Sequence, residues 1–230
     1  MPYLEKQGSG ALTISQTAQI EFWGAHTART MRPVWVAEEL ELEYRLHPIG
    51  PRTGETQTGE FTTINPKQKI PCMIDHGVQG GLILTESLPI ARYLISEYGN
   101  PRLSTPGTAA EYAREDEWCC YVLAEIDETS LYIIRRHRDL AHIYGESQVV
   151  VDSCFEYLER HLNVVERYLE GREFVLDRGF SLADIMLTTC LTWADNYGAT
   201  LQPASSAYVS RMTRREGYLR ARNINYPGKG

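Results

Sequence analysis

The cysteine content of this sequence is low and irregular. Five cysteines occur in 230 residues, the first of them is Cys72, and none stands in a C-x-x-C spacing. An odd number without that spacing is typical of free thiols in a reducing compartment, and argues against a disulfide framework or a zinc site. We therefore expect no bound metal.

Long apolar runs and an excess of positive charge are also missing. No apolar stretch approaches the roughly 18 residues that a membrane helix needs. A net charge of −7 and a pI near 5.4 argue against nucleic acid or an anionic membrane as the main partner. Residues 1–19 have neither a basic start nor an apolar core, so they do not resemble a secretory signal and predict a loose lead-in. These absences predict a cytoplasmic protein.

The pattern of the first hundred residues predicts an α/β domain. Residues 18–99 alternate between strand-like and helix-like segments in the order β-α-β-α-β-β-α. A strand–helix–strand start places its two strands parallel. Residues 100–107 contain two prolines, Ser104 and Thr105, and form the predicted linker.

Residues 108–230 carry only helical patterns, which predicts an all-helical second domain. Thr108 and Glu111 form a capping box that opens a long helix ending near residue 138. The other predicted helices are one over 147–169, one that starts at a second capping box, Ser181 with Asp184, and a last polar one over 208–222.

A short turn, Lys69-Ile70-Pro71, leads into a strand of the first domain. Because Ile70 precedes a proline, its backbone is extended, and a strand start beside a turn is where a cis X–Pro bond is most plausible. A cis bond would leave the N–H and C=O of Ile70 unpaired in the sheet. A peptide ligand can bind such groups as an added strand.

A second motif, Glu86-Ser87, stands where a strand passes into a helix that ends at Gly99. The Ser87 hydroxyl can cap this helix, and the free N–H groups of the first turn attract a carboxylate. Glu86, an anion beside an anion-binding helix end, is expected to face an ammonium. In the alternative interpretation, Ser87 only caps, Glu86 is a surface charge and Pro71 only shapes a turn.

These motifs, followed by Phe180-Ser181-Leu182-Ala183-Asp184-Ile185, resemble in their order the cytosolic glutathione transferases over nearly the whole chain. The resemblance implies a thioredoxin-like N-terminal domain, a helical C-terminal domain, glutathione as co-substrate and a homodimer with a role in detoxification. It implies that Pro71 is cis and that Lys69, Ile70, Pro71, Glu86 and Ser87 bind glutathione.

The segment between the first strand and the first helix determines the chemistry. Enzymes of this fold hold their reactive group there, at a helix N-terminus that stabilises an anion. Thr27 and Thr30 have the spacing of a C-x-x-C pair, but neither is a thiol, and no tyrosine ends the first strand. A threonine hydroxyl that donates to the glutathione sulfur favours the nucleophilic thiolate.

Thr27 is the preferred donor, and Arg29 is a second catalytic candidate. Thr27 aligns with the threonine of bacterial transferases that resemble disulfide-bond reductases, although Ala28-Arg29 replaces the usual Pro-Asn. Whether Thr27, Thr30 or Arg29 contacts the sulfur stays open, because Thr27 or Thr30 can also serve only as a helix cap. His26 is a less favoured candidate base.

The second substrate is expected to bind in the helical domain. The resemblance implies a pocket for a small hydrophobic electrophile or a disulfide on the first long helix, with Tyr112, Trp118 and Tyr121 as candidates and Arg135 and Arg136 beside them. An aromatic stripe at helical spacing is also typical of a core or dimer contact. Three functions stay open: conjugation by a transferase, glutathione-dependent reduction of a disulfide or peroxide, and a binding module without turnover.

Overall fold

The chain forms two compact units. The computed structural model describes residues 4–6, 12–13 and 19–228. One unit joins residues 1–105 to 215–230, and the other spans residues 106–214. Residues 215–230, which were expected in the helical domain, thus cluster with the first unit, and the predicted domain boundaries stay a prediction.

The first unit contains a mixed β-sheet with the strand order β2-β1-β4-β3-β5-β6. Its strands are β1 (Leu4–Lys6), β2 (Leu12–Thr13), β3 (Ile20–Trp23), β4 (Tyr44–His47), β5 (Cys72–Asp75) and β6 (Leu82–Thr85). Strand β3 pairs parallel with β4 and antiparallel with β5, which pairs antiparallel with β6. Strands β1 and β2 correct the predicted loose lead-in, the rest of which lies outside the described residues.

The helices follow the strands in chain order. They are α1 (Ala28–Glu39), α2 (Gly59–Ile64), α3 (Ser87–Tyr98), α4 (Ala109–Tyr121), α5 (Tyr132–His137), α6 (Ala141–Tyr144), α7 (Gln148–Leu169), α8 (Leu182–Asn196), α9 (Pro203–Met212) and α10 (Glu216–Asn225), with a 3-10 turn at Glu55–Gln57 and a π-helix at Val122–Leu131. From β3 to α3 the predicted order β-α-β-α-β-β-α is confirmed.

Helix α10 packs against α1 in the first unit. The buried Trp35 ring of α1 meets Tyr218 edge-on. Arg215 donates to Glu39 with Nε at 2.8 Å, and a β-carbon at Gly217 would lie 2.7 Å from the Glu39 carboxyl carbon. Arg215 has an extended backbone and is the N-cap of α10, which begins a new helix after α9. The single predicted helix over 208–222 is therefore two helices.

The second unit is helical, as predicted. The helix expected to reach residue 138 runs as α4, the π-helix and α5 without interruption. Helix α8 forms the centre of this unit, and its Asp184 carboxylate accepts hydrogen bonds from the backbone N–H groups of Ser181 and Val175 and from the Tyr208 hydroxyl. Burial nevertheless raises the pKa of Asp184.

Candidate functional site

Three segments that the sequence singled out meet at one edge of the sheet. In the strand register, Trp23 lies opposite Cys72, and Cys72 lies opposite Thr85. The end of β3, the start of β5 and the end of β6 therefore stand side by side. The loop into α1, the turn before β5 and the start of α3 extend from these three points.

Gly24 lets two of these segments approach each other. Its φ is +118°, a conformation that favours glycine. A β-carbon at Gly24 would lie 2.6 Å from the Ile70 β-carbon and 2.9 Å from the Thr30 methyl carbon. The start of α1 and the turn before β5 consequently touch across a position that has no room for a side chain.

The turn before β5 contains the expected cis bond between Ile70 and Pro71. Asn65 holds the turn by donating its amide to the Lys69 carbonyl at 2.7 Å, and the Lys69 side chain points to solvent. Among the described residues, none bonds to the N–H or the carbonyl of Ile70. These two groups can pair with the backbone of a peptide.

The start of α3 differs from the expectation for Ser87. The N-cap is Glu86, no side chain caps the helix, and Ser87 is its first residue. The predicted capping role of the Ser87 hydroxyl is therefore wrong. That hydroxyl instead accepts a hydrogen bond from Nη1 of the buried Arg32 at 3.1 Å. The first turn of α3 offers an anion the N–H groups of Ser87 and Leu88, whereas Pro89, the third residue, has no N–H to offer.

Glu86 occupies a strained position beside this helix end. Its φ of 72° and ψ of 130° lie in a region that costs a non-glycine residue on the order of 1–3 kcal/mol, and such residues cluster at functional sites. Its side chain is 65% exposed and accepts from Lys67 Nζ at 3.3 Å. Lys67 also donates to Thr85 Oγ1 at 2.8 Å. The Glu86 carboxylate thus pairs with the ammonium of Lys67, shortly before the Ile70-Pro71 bond, and the expected ammonium of a ligand stays a prediction.

Thr27 is the N-cap of α1 and forms a reciprocal capping box with Thr30. Thr27 Oγ1 accepts from the Thr30 N–H at 3.0 Å, and Thr30 Oγ1 accepts from the Thr27 N–H at 3.1 Å. Both residues are buried, Thr27 with 9% and Thr30 with 1% of its surface exposed. Since capping uses oxygen lone pairs, the cap leaves the hydroxyl proton of Thr27 able to donate.

The other candidates of this segment lie around Thr27. His26 is exposed and has a positive φ of 68°. Arg29 is the second residue of α1 and half-buried. Their positions leave both next to the helix N-terminus, where positive partial charge favours an anion.

Cys72 is the cysteine nearest to these segments, and it does not provide a thiolate. It follows Pro71 directly and is fully buried. Burial raises the pKa of its thiol to about 11. A buried thiol with a raised pKa stays protonated at neutral pH and is a poor nucleophile.

Sequence reasoning missed three residues of the site. Asn225 contacts the start of α1 from the far end of the chain, and Arg32 contacts Ser87 from the middle of α1. Neither residue has a local signal, because both act through tertiary contacts. Lys67 does have a local signal, since it stands two residues before Lys69 in the same turn.

Two family models match the chain. The model described as the glutathione S-transferase N-terminal domain matches residues 18–96, and the model of the C-terminal domain matches residues 134–222. The chain belongs to the glutathione S-transferase family. This confirms the family and the thioredoxin-like and helical domains that the sequence motifs implied.

Curated transferases are similar over much of the chain. Glutathione S-transferase GstB of Escherichia coli K12 is 29% identical over 191 residues, which cover 80% of this chain and 87% of that protein. Glutathione S-transferase theta-1 of mouse is 26% identical over 157 residues, covering 66% of this chain and 63% of the mouse protein. The match thus spans less than two thirds of the theta-1 transferase.

Solved transferase structures share the fold. A homologue from Lodderomyces elongisporus superposes with a TM-score of 0.81 at 19% identity, covering 90% of this chain and 99% of that one. A transferase from Pseudomonas putida gives 0.80 at 20% identity, covering 93% and 94%. One from Burkholderia graminis gives 0.78 at 24% identity, covering 93% and 90%.

The helical unit of this family member holds the candidates for the second-substrate pocket. Trp118 is buried and packs against Tyr168 and Tyr121. Tyr121 shares a hydrogen bond of 2.9 Å with His161 Nδ1, and Tyr112 is 39% exposed. Two clefts of this unit, of about 410 and 530 Å³, are lined by other residues. The pocket stays a prediction.

Metal-binding clusters and membrane helices are both missing from the described part of the chain. In residues 4–6, 12–13 and 19–228, no group of three or more His, Cys, Asp or Glu side chains is placed to hold a metal ion. Across those residues, no helix combines the length and apolar character that crossing a membrane requires.

Proposed function

We propose that this family member is a catalytically active glutathione transferase, which binds reduced glutathione in the first unit and stabilises its thiolate for attack on a second substrate. The observation that carries the proposal is the meeting of three features at one sheet edge. These are an uncapped helix start at Ser87, open backbone groups at Ile70 and a threonine hydroxyl at the start of α1.

Each part of glutathione has a chemical partner in this arrangement. The γ-glutamyl carboxylate is bound by the N–H groups of Ser87 and Leu88 and by the Ser87 hydroxyl. The γ-glutamyl ammonium lies against Glu86, in place of Lys67. The cysteinyl backbone pairs with the N–H and C=O of Ile70. The chemistry of the three partners matches a γ-glutamyl peptide rather than a simple dipeptide.

The thiolate is stabilised at the start of α1. Thr27 Oγ1 donates its proton to the sulfur, which favours the ionised form and lowers the pKa of the glutathione thiol. Arg29, two residues further along, adds positive charge for the thiolate or the glycine carboxylate. The protein contributes no sulfur of its own, because Cys72 is protonated at neutral pH. Glutathione itself is therefore the nucleophile.

The second substrate is a small hydrophobic electrophile, bound in the helical unit near Tyr112, Trp118 and Tyr121. The functional form is a homodimer in the cytoplasm. Both statements follow the expectations from the family resemblance. They are supported by family membership and by the exposed tyrosine ring on α4.

Reduction of a mixed glutathione disulfide is the second candidate. In that reaction the bound thiolate attacks the glutathione sulfur of the mixed disulfide, a new S–S bond gives glutathione disulfide, and the other thiol leaves. Transferases of this fold have been solved with glutathione disulfide, from Pseudomonas putida, and with two glutathione molecules, from Burkholderia graminis. A site that accommodates two glutathiones favours this chemistry.

The proposal is tested by calorimetric titration of reduced glutathione into the wild-type protein and into Glu86→Ala. The exposed residue Glu43 provides the matched control, Glu43→Ala, in the same unit. We expect binding to the wild type and to the control, and a loss of about tenfold or more in affinity with Glu86→Ala, as removal of a charged partner predicts. A wild-type protein without affinity for glutathione contradicts the proposal.

Turnover separates the enzyme from a binding module. Thr27→Val removes the hydroxyl and keeps the size of the side chain. If the protein is an enzyme, Thr27→Val lowers its conjugation rate and raises the pKa of the thiol of bound glutathione. A binding module has no conjugation rate in either form. A conjugation assay with an aromatic halide and a reduction assay with a mixed glutathione disulfide then distinguish the two chemistries.

A further inference from the structure

The last residue of α10 is bonded to the start of α1 at three points. The Asn225 side chain is fully buried. Its Nδ2 donates to the Thr27 carbonyl at 3.0 Å, and its Oδ1 accepts from Thr30 Oγ1 at 2.7 Å. Its backbone carbonyl accepts from the His26 N–H at 3.0 Å. One residue thus bonds to His26, Thr27 and Thr30 together.

The direction of these bonds is fixed by their chemistry. A backbone carbonyl can only accept, so the amide nitrogen of Asn225 faces Thr27 and the amide oxygen faces Thr30. The Thr30 hydroxyl is then the donor in its bond to Asn225. Its other close acceptor, the Thr27 carbonyl at 2.9 Å, already receives the Asn225 amide.

Because the Thr30 hydroxyl donates to Asn225, Thr27 is the donor in the 3.0 Å contact between the two hydroxyl oxygens, and its proton is the one that can be redirected to a ligand. The N–H of Thr30 is bonded to Thr27 Oγ1, the N–H of Thr27 is bonded to Thr30 Oγ1, and the Thr30 hydroxyl is bonded to Asn225. Each of these buried donors has a partner that does not depend on the Thr27 proton. Thr27 Oγ1 lies 3.0 Å from Thr30 Oγ1 and can turn its proton to a sulfur without leaving a buried donor unpaired.

Asn225 also holds the backbone that carries this hydroxyl. The approach to α1 includes two positive φ values, 118° at Gly24 and 68° at His26. A non-glycine residue such as His26 keeps this conformation only where its surroundings enforce it. The bonds from Asn225 to the N–H of His26 and the carbonyl of Thr27 lie on both sides of the strained residue.

We propose that Asn225 is a positioning residue for the thiolate of bound glutathione, acting through Thr30 and Thr27 rather than by contact with the sulfur. This inference rests on the proposed glutathione function. It assigns a role in the chemistry of the first unit to the last turn of a helix that follows the whole helical unit in the sequence.

The test measures the thiol pKa of bound glutathione, from the ultraviolet absorbance of its thiolate as a function of pH. Asn225→Ala is compared with the wild type and with Thr30→Val, a nearly isosteric change that removes the hydroxyl bonded to Asn225. We expect both variants to raise the thiol pKa by up to about one unit, as the loss of one oriented hydrogen bond predicts. Below that pKa, kcat/KM falls by up to about tenfold, since one pKa unit changes the thiolate fraction by that factor.

Arg220→Ala is the matched control. Arg220 also joins α10 to α1, through Nε and Glu38 Oε2 at 2.7 Å, but at a distance from the Thr27 loop along both helices. This variant should lose stability and keep the thiol pKa of the wild type. An equal shift in Arg220→Ala and Asn225→Ala would show that docking of α10 as a whole matters, and would overturn the specific role of Asn225.

The outcomes separate this inference from the proposed function. If wild-type protein does not bind glutathione or does not lower its thiol pKa, the proposed function fails. If the wild type does both, and the thiol pKa is unchanged in Thr30→Val and in a folded Asn225→Ala, the inference about Asn225 fails and the proposed function stands. Should Asn225→Ala not fold, an unchanged thiol pKa in Thr30→Val still overturns the role of Asn225, because Thr30→Val removes the Asn225 contact together with the cap.

Discussion

Gly24 and Ile70 pack so closely that a β-carbon on the glycine would lie 2.6 Å from the β-carbon of the isoleucine. Gly24 directly follows β3, and Ile70 carries the backbone groups that we assign to the cysteinyl part of glutathione. The contact therefore sets how closely the start of α1, with the threonine proposed to stabilise the thiolate, approaches the turn proposed to bind the peptide. A side chain at position 24 has to push these two parts of the site apart.

Gly24→Ala is expected to weaken glutathione binding and to destabilise the fold. The positive φ costs alanine roughly 1–2 kcal/mol, and the clash with Ile70 adds about 1–3 kcal/mol. Gly54→Ala is the control, since Gly54 also has a positive φ, of 88°, but a β-carbon there would meet no atom within 4 Å. Urea unfolding and glutathione titration should show a stability loss in both variants and an affinity loss only in Gly24→Ala.

Ser87→Ala is expected to lower glutathione affinity by roughly ten- to a hundredfold. The hydroxyl we assign to the γ-glutamyl carboxylate is oriented by Arg32, and a hydrogen bond to a charged group is worth about 1.5–3 kcal/mol. The change also removes an acceptor of the buried Arg32 guanidinium, so we expect a stability loss of about 1–3 kcal/mol beside the loss of affinity.

The contrasting change is Thr108→Ala in the other unit. Thr108 Oγ1 accepts from the Glu111 N–H as the N-cap of α4, so its loss costs about 1 kcal/mol of stability and leaves affinity unchanged. Equal affinities of Ser87→Ala and the wild type in calorimetry would contradict the assigned carboxylate contact.

Cys72 should resist thiol reagents at neutral pH. It is fully buried, and burial raises its pKa to about 11, whereas Cys120 is exposed. Brief maleimide treatment of the folded protein, followed by peptide mass spectrometry, should label Cys120 and leave Cys72 unmodified. Cys72→Ala should retain the lowered thiol pKa of bound glutathione. Loss of that pKa shift in this variant would mean that the protein thiol takes part in the chemistry.

The parts of the site that sequence alone predicts are those encoded within a few residues. Proline restricts the backbone of Ile70, and a strand that turns into a helix at Glu86-Ser87 exposes helix N–H groups. Both motifs are positioned by strand pairing between near neighbours in the chain. The order of strands and helices around them follows from the same local patterns.

The parts that sequence alone misses are those imposed by distant contacts. The helical pattern continues through residues 213–215, but α9 ends at Met212 and α10 begins at Glu216, and Arg215 between them bonds to the distant Glu39. The Ser87 hydroxyl looks like a cap from the sequence, but Arg32 on another helix gives it a different role. Asn225 has no local pattern around it, because its partners stand near the opposite end of the sequence.

The carboxylate of Glu166 is predicted to make stability depend on acid pH. It is buried and accepts from the backbone N–H groups of Ala204 and Ser205 and from the Ser205 hydroxyl, at the start of α9. Burial alone raises its pKa, but these donors outweigh burial, and the pKa lies below the ordinary value of 4.5. A carboxylate whose pKa is lowered in the folded state contributes its full stability above the pKa of the unfolded state. That stability is lost as the pH falls through the folded-state pKa.

Glu166→Gln should therefore lower the free energy of unfolding at neutral pH, and lower it by less in acid. Glutamine keeps one accepting oxygen but turns an NH₂ group toward a donor, at a cost of about 1–3 kcal/mol. Glu159→Gln on the exposed face of α7 is the control and should unfold like the wild type. In urea unfolding the gap between Glu166→Gln and the wild type should narrow as the pH falls from about 6 to about 3.5, the range over which a glutamate of ordinary pKa becomes protonated in the unfolded chain. A gap that stays constant or widens over this range would mean that the α9 N–H groups do not favour the ionised carboxylate.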